Sequence, residues 1–152
     1  MFQGFNTLNL DAKGRLAIPV KCREALGASD GSGVVVTINP HERCLWLYPQ
    51  HEWQEIAYKV SRLPALKKEN KILKRLLLGY ATELDMDGQG RILLAANLRQ
   101  YAGMNKQVAL VGQGNKFEIW DADVWSESQE DWLQEFSQPE SSLSDELANL
   151  AL

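Results

Sequence analysis

Short apolar runs alternate along the chain with longer stretches in which apolar residues recur every three or four positions. Val34 to Ile38 and Leu45 to Tyr48 are β-branched or aromatic runs separated by Asn39, Pro40 and His41, and predict a hairpin. Val108 to Val111 and Phe117 to Trp120, joined by Gly112-Gln113-Gly114-Asn115, predict a second one. A short helical stretch precedes each hairpin, Val20 to Leu26 and then Asn97 to Ala102. A longer helical pattern follows each. Trp53, Ile56, Ala57, Val60 and Leu63 recur at helical spacing after Pro49. Trp125, Gln129, Trp132, Leu133 and Phe136 do so after Asp121, a natural N-cap. Between the two halves, Pro64 to Gly79 reads as a helix with Pro at its start and Gly at its end. One stripe of it carries Leu66, Leu73 and Leu77; another carries Lys67, Lys71, Lys74 and Arg75 and reads as a solvated face. Gly27 to Gly33 has the composition of a loop. From Ser137 the chain turns polar, with Leu143, Leu147 and Leu150 marking a last short helix.

This order of elements occurs twice because the sequence does. Leu8 to Pro19 reads LNLDAKGRLAIP and Leu84 to Ala95 reads LDMDGQGRILLA. Both contain Asp-x-x-Gly-Arg, as Asp11, Gly14, Arg15 and as Asp87, Gly90, Arg91, at an offset of 76 that Arg23 and Arg99 share. Two copies of one supersecondary unit follow from such a period. The later pairs Leu45/Phe117 and Trp53/Trp125 align at 72, so the second copy is four residues shorter. The loop at Gly27 to Gly33 is the expected place for the deletion.

The repeated motif has a definite chemistry. Gly14 and Gly90 supply the positive φ that a tight connection needs. Asp11 and Asp87 can accept hydrogen bonds from the turn's own N–H groups and fix its shape. Arg15 and Arg91 can fold back to those carboxylates or project outward, and Lys13 adds a cation to the first tip. A guanidinium on a short rigid turn suits phosphate, or guanine O6 and N7 in a major groove, because its planar fork is already oriented. The competing reading is a well-made turn with an internal Asp–Arg pair; recurrence weakens it, since turn chemistry alone does not require Arg.

Charge adds a second signal. The 152 residues carry a net charge of −4, yet residues 1–116 hold all 16 Lys and Arg against 10 Asp and Glu, while residues 117–152 hold 10 acids and no base. A basic body with an acidic tail marks a nucleic-acid or regulated surface, or serves solubility alone. No apolar run reaches the ~20 residues of a membrane helix, and the N-terminus does not read as a secretory signal. Cys22 and Cys44 stand alone and read as reduced thiols of an intracellular protein. His41 and His51, the two histidines, have no carboxylate or thiolate at a ligand offset, so neither metal nor cofactor is expected. Trp46, Trp53, Trp120, Trp125 and Trp132 fall in strands or helices and read as core or subunit interface. Asp85 and Asp87 would share one face of a strand. With no suitable His, metal site or phosphate loop beside them, the chain is read as not an enzyme.

Asp-x-Lys-Gly-Arg followed by apolar residues and Pro19, and its second copy, resemble the MraZ family of bacterial regulators, which has an AbrB-like swapped-hairpin fold. The likeness extends to Leu45-Trp46-Leu47-Tyr48-Pro49, to Arg75-Leu76-Leu77-Leu78-Gly79 and to Gly112 through Trp120. The resemblance implies an α+β, mainly β chain in which two AbrB-like repeats, 5–52 and 81–124, pair into one pseudo-symmetric β-barrel. Residues 53–80 would be connecting helices and 125–152 a C-terminal helix with an acidic tail. It implies a homo-oligomeric ring in the cytoplasm, at the nucleoid. That ring would bind short direct repeats in the promoter of the division and cell-wall gene cluster, as a repressor. The DNA-binding residues would be Lys13, Gly14, Arg15 and Arg91, with Asp11, Asp87 and Gly90 shaping the turns. Gln89 stands where the first copy has Lys13, and Ala95 where it has Pro19, so the first tip is expected to be the principal contact. Another reading is an antitoxin-like module that binds a protein through its acidic C-terminal segment. A hetero-complex that survives loss of Arg15 and breaks on truncation after Phe136 would distinguish it.

Overall fold

The computed structural model describes residues 1–27, 33–137, 144–150 and 152. Eight strands and six helices are present among them: β1 (Phe5–Asn9), β2 (Arg15–Ala17), α1 (Val20–Ala25), β3 (Val34–Ile38), β4 (Leu45–Pro49), α2 (Gln50–Ser61), α3 (Lys68–Leu77), β5 (Thr82–Leu84), β6 (Arg91–Leu93), α4 (Ala96–Tyr101), β7 (Gln107–Gly112), β8 (Phe117–Asp121), α5 (Ala122–Phe136) and α6 (Asp145–Ala148). The strands form an antiparallel six-stranded sheet in the order β1-β7-β8-β4-β3-β5 and a separate antiparallel ribbon, β2-β6.

The two copies interlock strand by strand. β1 of the first pairs with β7 of the second, and β5 of the second with β3 of the first. β4 meets its own counterpart β8, with Trp46 opposite Glu118 at the centre, and β2 meets β6, with Leu16 opposite Ile92. A pseudo-twofold axis therefore runs through both of these pairs. Each half leaves its own first strand for its partner to bind, so neither half completes a sheet alone. The resulting architecture is α+β and mainly sheet. Among the described residues no ladder joins the outer strands β1 and β5, so the expected barrel is not closed by hydrogen bonds.

Burial explains why the hairpin strands are so uniformly apolar. Val34, Val36 and Ile38 of β3 face the ribbon and α1/α4, in a core with Leu16, Ile18, Leu26, Leu45, Leu47, Ile92, Leu94, Leu98 and Ile119. Val35 faces the other way, with Tyr48, under Trp53, Val60 and Leu77 of α2 and α3. A strand covered on both sides loses the alternation of a half-exposed one. On the second half, Trp120, Trp125 and Trp132 make mutual ring contacts at 5.4–6.2 Å, bringing α5 over Ala109 and Val111. The tryptophans thus serve packing; burial and neighbouring Glu52 also push the Tyr48 phenol in this layer up to about 12. At the end of α5 Leu133 and Phe136 are exposed, unlike the rest of the predicted apolar face.

Three further readings change. The Pro64–Gly79 helix begins only at Lys68, because Asn70 Nδ2 donates to the Pro64 carbonyl across an irregular approach; Leu66 lies outside the helix and is exposed. The four-residue deletion is divided. Val34 and Val108 occupy equivalent ladder positions at an offset of 74, as do Ile38 and Gly112, so two residues are lost before β3's counterpart and two in the hairpin turn. The longer first turn is held by the Asn39 side chain, which accepts from the His41 and Glu42 N–H groups. Asp85 and Asp87 do not share a strand face, since β5 ends at Leu84. The last short helix is α6, fully exposed; Leu143 and most of the Gly27–Gly33 loop lie outside the described residues.

Candidate nucleic-acid interface

Both Asp-x-x-Gly-Arg segments fold as the same turn. The Asp11 Oδ1 accepts from the N–H of Lys13 at 2.9 Å and of Arg15 at 2.8 Å; Asp87 Oδ1 accepts from Gln89 and Arg91, each at 2.9 Å. Gly14 and Gly90 have φ of 85° and 73°. The Arg side chains fold back: Arg15 Nε donates to Asp11 Oδ2 at 2.6 Å, and Arg91 Nε to Asp87 Oδ2 at 2.7 Å. These pairs are partly exposed, with 32% of the Arg15 side chain accessible. They orient the guanidinium while adding little to stability. Neither terminal amino group of Arg15 or Arg91 has a protein partner among the described residues, so those ends remain available for an anion.

The Arg15 N–H is the main influence holding the Asp11 carboxyl below the usual aspartate range, and the Arg91 N–H does the same for Asp87. A carboxylate favoured in the folded state contributes at neutral pH, and its contribution is lost as pH falls through the lowered value. The amide resonances of Lys13 and Arg15 are expected to stay unchanged while ordinary aspartates protonate and to move only at lower pH. A midpoint at the ordinary aspartate value would contradict the geometry.

The interlocked fold adds residues that motif reading did not place in the site. The side chain of Arg99 on α4 lies against Gly14 of the first turn, and that of Arg23 on α1 against Gly90 of the second. Each is anchored through Nε, Arg23 to the Ile18 carbonyl at 2.8 Å and Arg99 to the Leu94 carbonyl at 3.0 Å. Backbone bonds cross between copies beside them, Ile18 N–H to the Gly90 carbonyl and Leu94 N–H to that of Gly14. The offset of 76 shared with Arg15 and Arg91 was the available signal for this pair. Among the described residues Arg23 and Arg99 have no carboxylate partner, so each tip keeps an uncompensated cation. A Cβ at Gly14 would stand 2.7 Å from Arg99 Nε. Gly14→Ala is expected to cost about 1–2 kcal/mol for its left-handed backbone alone and to displace Arg99, read as a lowered urea midpoint.

The ribbon sets where the arginines point. Arg15 lies opposite Leu93, and Ala17 opposite Arg91. Opposed residues, and residues two apart, share a face. Arg15, Ala17, Arg91 and Leu93 therefore form one outward face, while Leu16 and Ile92 are buried on the other. The tips differ in their surroundings. Beside the first, a hollow is lined by Asn9, Leu10, Asp11, Ala12, Asn105 and Lys106. An adjoining hollow shares Asn9, Asn105 and Lys106 and adds Asp121 and Asp123, and another, between the two copies, is lined by Gly33, Val34, Gln50, Glu83, Leu84 and Asp85, so acids stand on both halves. The tips themselves differ by one charge, Lys13 against Gln89.

Comparison with known proteins agrees with this two-copy construction. The family described as "MraZ protein, putative antitoxin-like" matches twice, over residues 1–76 and 77–147. A protein named "Transcriptional regulator MraZ" from Halorhodospira halophila is 51% identical over 152 residues, covering 100% of both chains. Proteins of the same name from Yersinia pseudotuberculosis and Yersinia pestis are 46% identical over the same full length. With both halves matched and full-length relatives at this identity, the chain belongs to the MraZ family, a family of transcriptional regulators and not of enzymes.

Proposed function

We propose that the chain regulates transcription by laying the outward face of the β2/β6 ribbon on duplex DNA. The observation that carries this is the shared placement of Arg15 and Arg91 on one exposed face of a two-stranded ribbon, each with its amino ends unpaired. Such a ribbon fits a major groove about 12 Å wide. Lys13, Gly14 and Arg15 form the principal contact, Arg91 the second, and Asp11, Asp87 and Gly90 hold the turns. Arg23 and Arg99 add positive charge behind the tips. The charge of Lys13, which Gln89 lacks, favours the first tip.

In this reading residues 5–52 and 81–124 are the two AbrB-like units, 53–80 connects them, and 125–152 is an accessory helix and tail. The exchange of first strands between the copies supports the AbrB-like relationship. One chain offers only a few contacts, which gives weak, salt-sensitive binding. A homo-oligomeric ring repeats the same face, and direct repeats in a promoter make later contacts intramolecular, raising avidity by roughly 10²–10⁴. The protein then acts as a repressor at the nucleoid, in the cytoplasm, on the promoter of the division and cell-wall cluster. No helix among the described residues is long and apolar enough to cross a membrane. Footprinting on the DNA upstream of the chain's own coding sequence tests the proposal. Protection at regularly spaced repeats is expected, and unprotected DNA at low salt would refute it.

A further inference from the structure

Leu93 is 52% exposed although it sits in a strand, directly opposite Arg15 and two residues beyond Arg91 on the same face. Its neighbours in sequence, Ile92 and Leu94, are buried, so the alternation of the strand places Leu93 outward without ambiguity. The equivalent residue of the first copy is Ala17, opposite Arg91. The ribbon thus presents two unequal pairs, Arg15 with Leu93 and Arg91 with Ala17. The interior-packing explanation of an apolar strand residue fails for Leu93, because the ribbon's buried face is already filled by Leu16 and Ile92.

We propose that Leu93 is a specificity-determining residue that contacts thymine C5-methyl groups beside the base pair approached by Arg15. This rests on the reading of the ribbon face as the DNA-binding surface. In the major groove thymine is the base that presents a methyl group, and an apolar side chain detects it, while guanidinium pairs with guanine. A Leu directly across a two-stranded ribbon from an Arg stands about 5 Å from it, within side-chain reach of base pairs stacked about 3.4 Å apart. The pair can then read two adjacent positions by different chemistries. Ala17, shorter by three carbons, makes the corresponding contact at the second tip weaker.

The test uses the full chain, its Leu93→Ala variant, and duplex DNA from upstream of its coding sequence. The duplex is made either with thymidine or with deoxyuridine, which lacks only the methyl group and keeps all pairing. At fixed salt the unmodified chain is expected to bind the thymidine duplex about fourfold more tightly per methyl engaged, the size expected from burying one methyl. Leu93→Ala is expected to lose most of this preference, keeping only the weaker one that alanine supplies, with its oligomeric mass and thermal midpoint unchanged. Ala17→Leu is expected to increase the preference for thymidine. Equal binding of both duplexes by the unmodified chain would overturn the proposal. So would a thymidine preference that is undiminished in Leu93→Ala, since the methyl would then act through DNA shape. A changed oligomeric mass in Leu93→Ala would place this residue in a subunit contact instead. Absence of binding to either duplex would refute the DNA-binding reading itself, an outcome distinct from the others.

Discussion

Replacing Arg15 by Ala is expected to abolish promoter binding while leaving the fold and the oligomer intact. The side chain is partly exposed and, among the described residues, bonds only to Asp11, so removing it opens no cavity. A well-placed guanidinium at a base edge contributes about 1–3 kcal/mol. In the proposed ring, which would present one such tip per chain, the losses would compound wherever several tips engage one DNA. Titration by fluorescence anisotropy at fixed salt, with mass photometry as control, provides the measurement; unchanged affinity would refute the assignment. Arg15→Lys is expected to restore charge and some salt-dependent affinity but little sequence discrimination, because an ammonium lacks the planar fork. Arg91→Ala is expected to do less harm, since its tip has Gln89 in place of Lys13. An equal loss from both variants would show that the charge contrast does not rank the tips.

The second large effect is expected at the centre of the ribbon. Leu16 and Ile92 face each other on the pseudo-twofold axis with 0% and 1% exposure. They join the two copies to each other and the ribbon to the six-stranded sheet. Leu16→Ala removes apolar volume where close neighbours from both copies limit collapse, and should cost about 2–5 kcal/mol. That is a large part of the 5–15 kcal/mol that stabilises an ordinary domain. Because the same pair positions Arg15 and Arg91, weakened DNA binding should accompany the lowered denaturation midpoint even where the chain remains folded. A stability loss below ~1 kcal/mol would mean that the ribbon is not the clamp between the copies.

The repeat itself, the four hairpin strands, the paired turns and their Asp-to-amide hydrogen bonds were legible in the sequence, because each depends on local pattern or on residue chemistry at short range. Periodicity says which way Val35 or Leu16 faces but does not name its strand partner. The crosswise pairing of β1 with β7 and of β5 with β3 therefore came only from the structure, as did the open edges of the sheet. The roles of Arg23 and Arg99 were hidden for the same reason, since each buttresses a turn of the opposite copy. Dividing the deletion needed ladder register, because the offset of 72 records only the total. Whether Arg15 would fold back or extend was left open by composition; the geometry combines both, with Nε held by Asp11 and the amino ends released.

Joining the two halves in one polypeptide frees them from having to be alike. Two identical subunits about an exact dyad would meet either strand of a duplex in the same way and could not sense which direction they lie in. Here one end of the ribbon bears Lys13 and the other Gln89, with Leu93 facing one arginine and Ala17 the other. The fused pair therefore has a head and a tail. In the proposed oligomer, copies set side by side with a common heading would match sequence elements that all run the same way, which a symmetric reader would have no means to prefer.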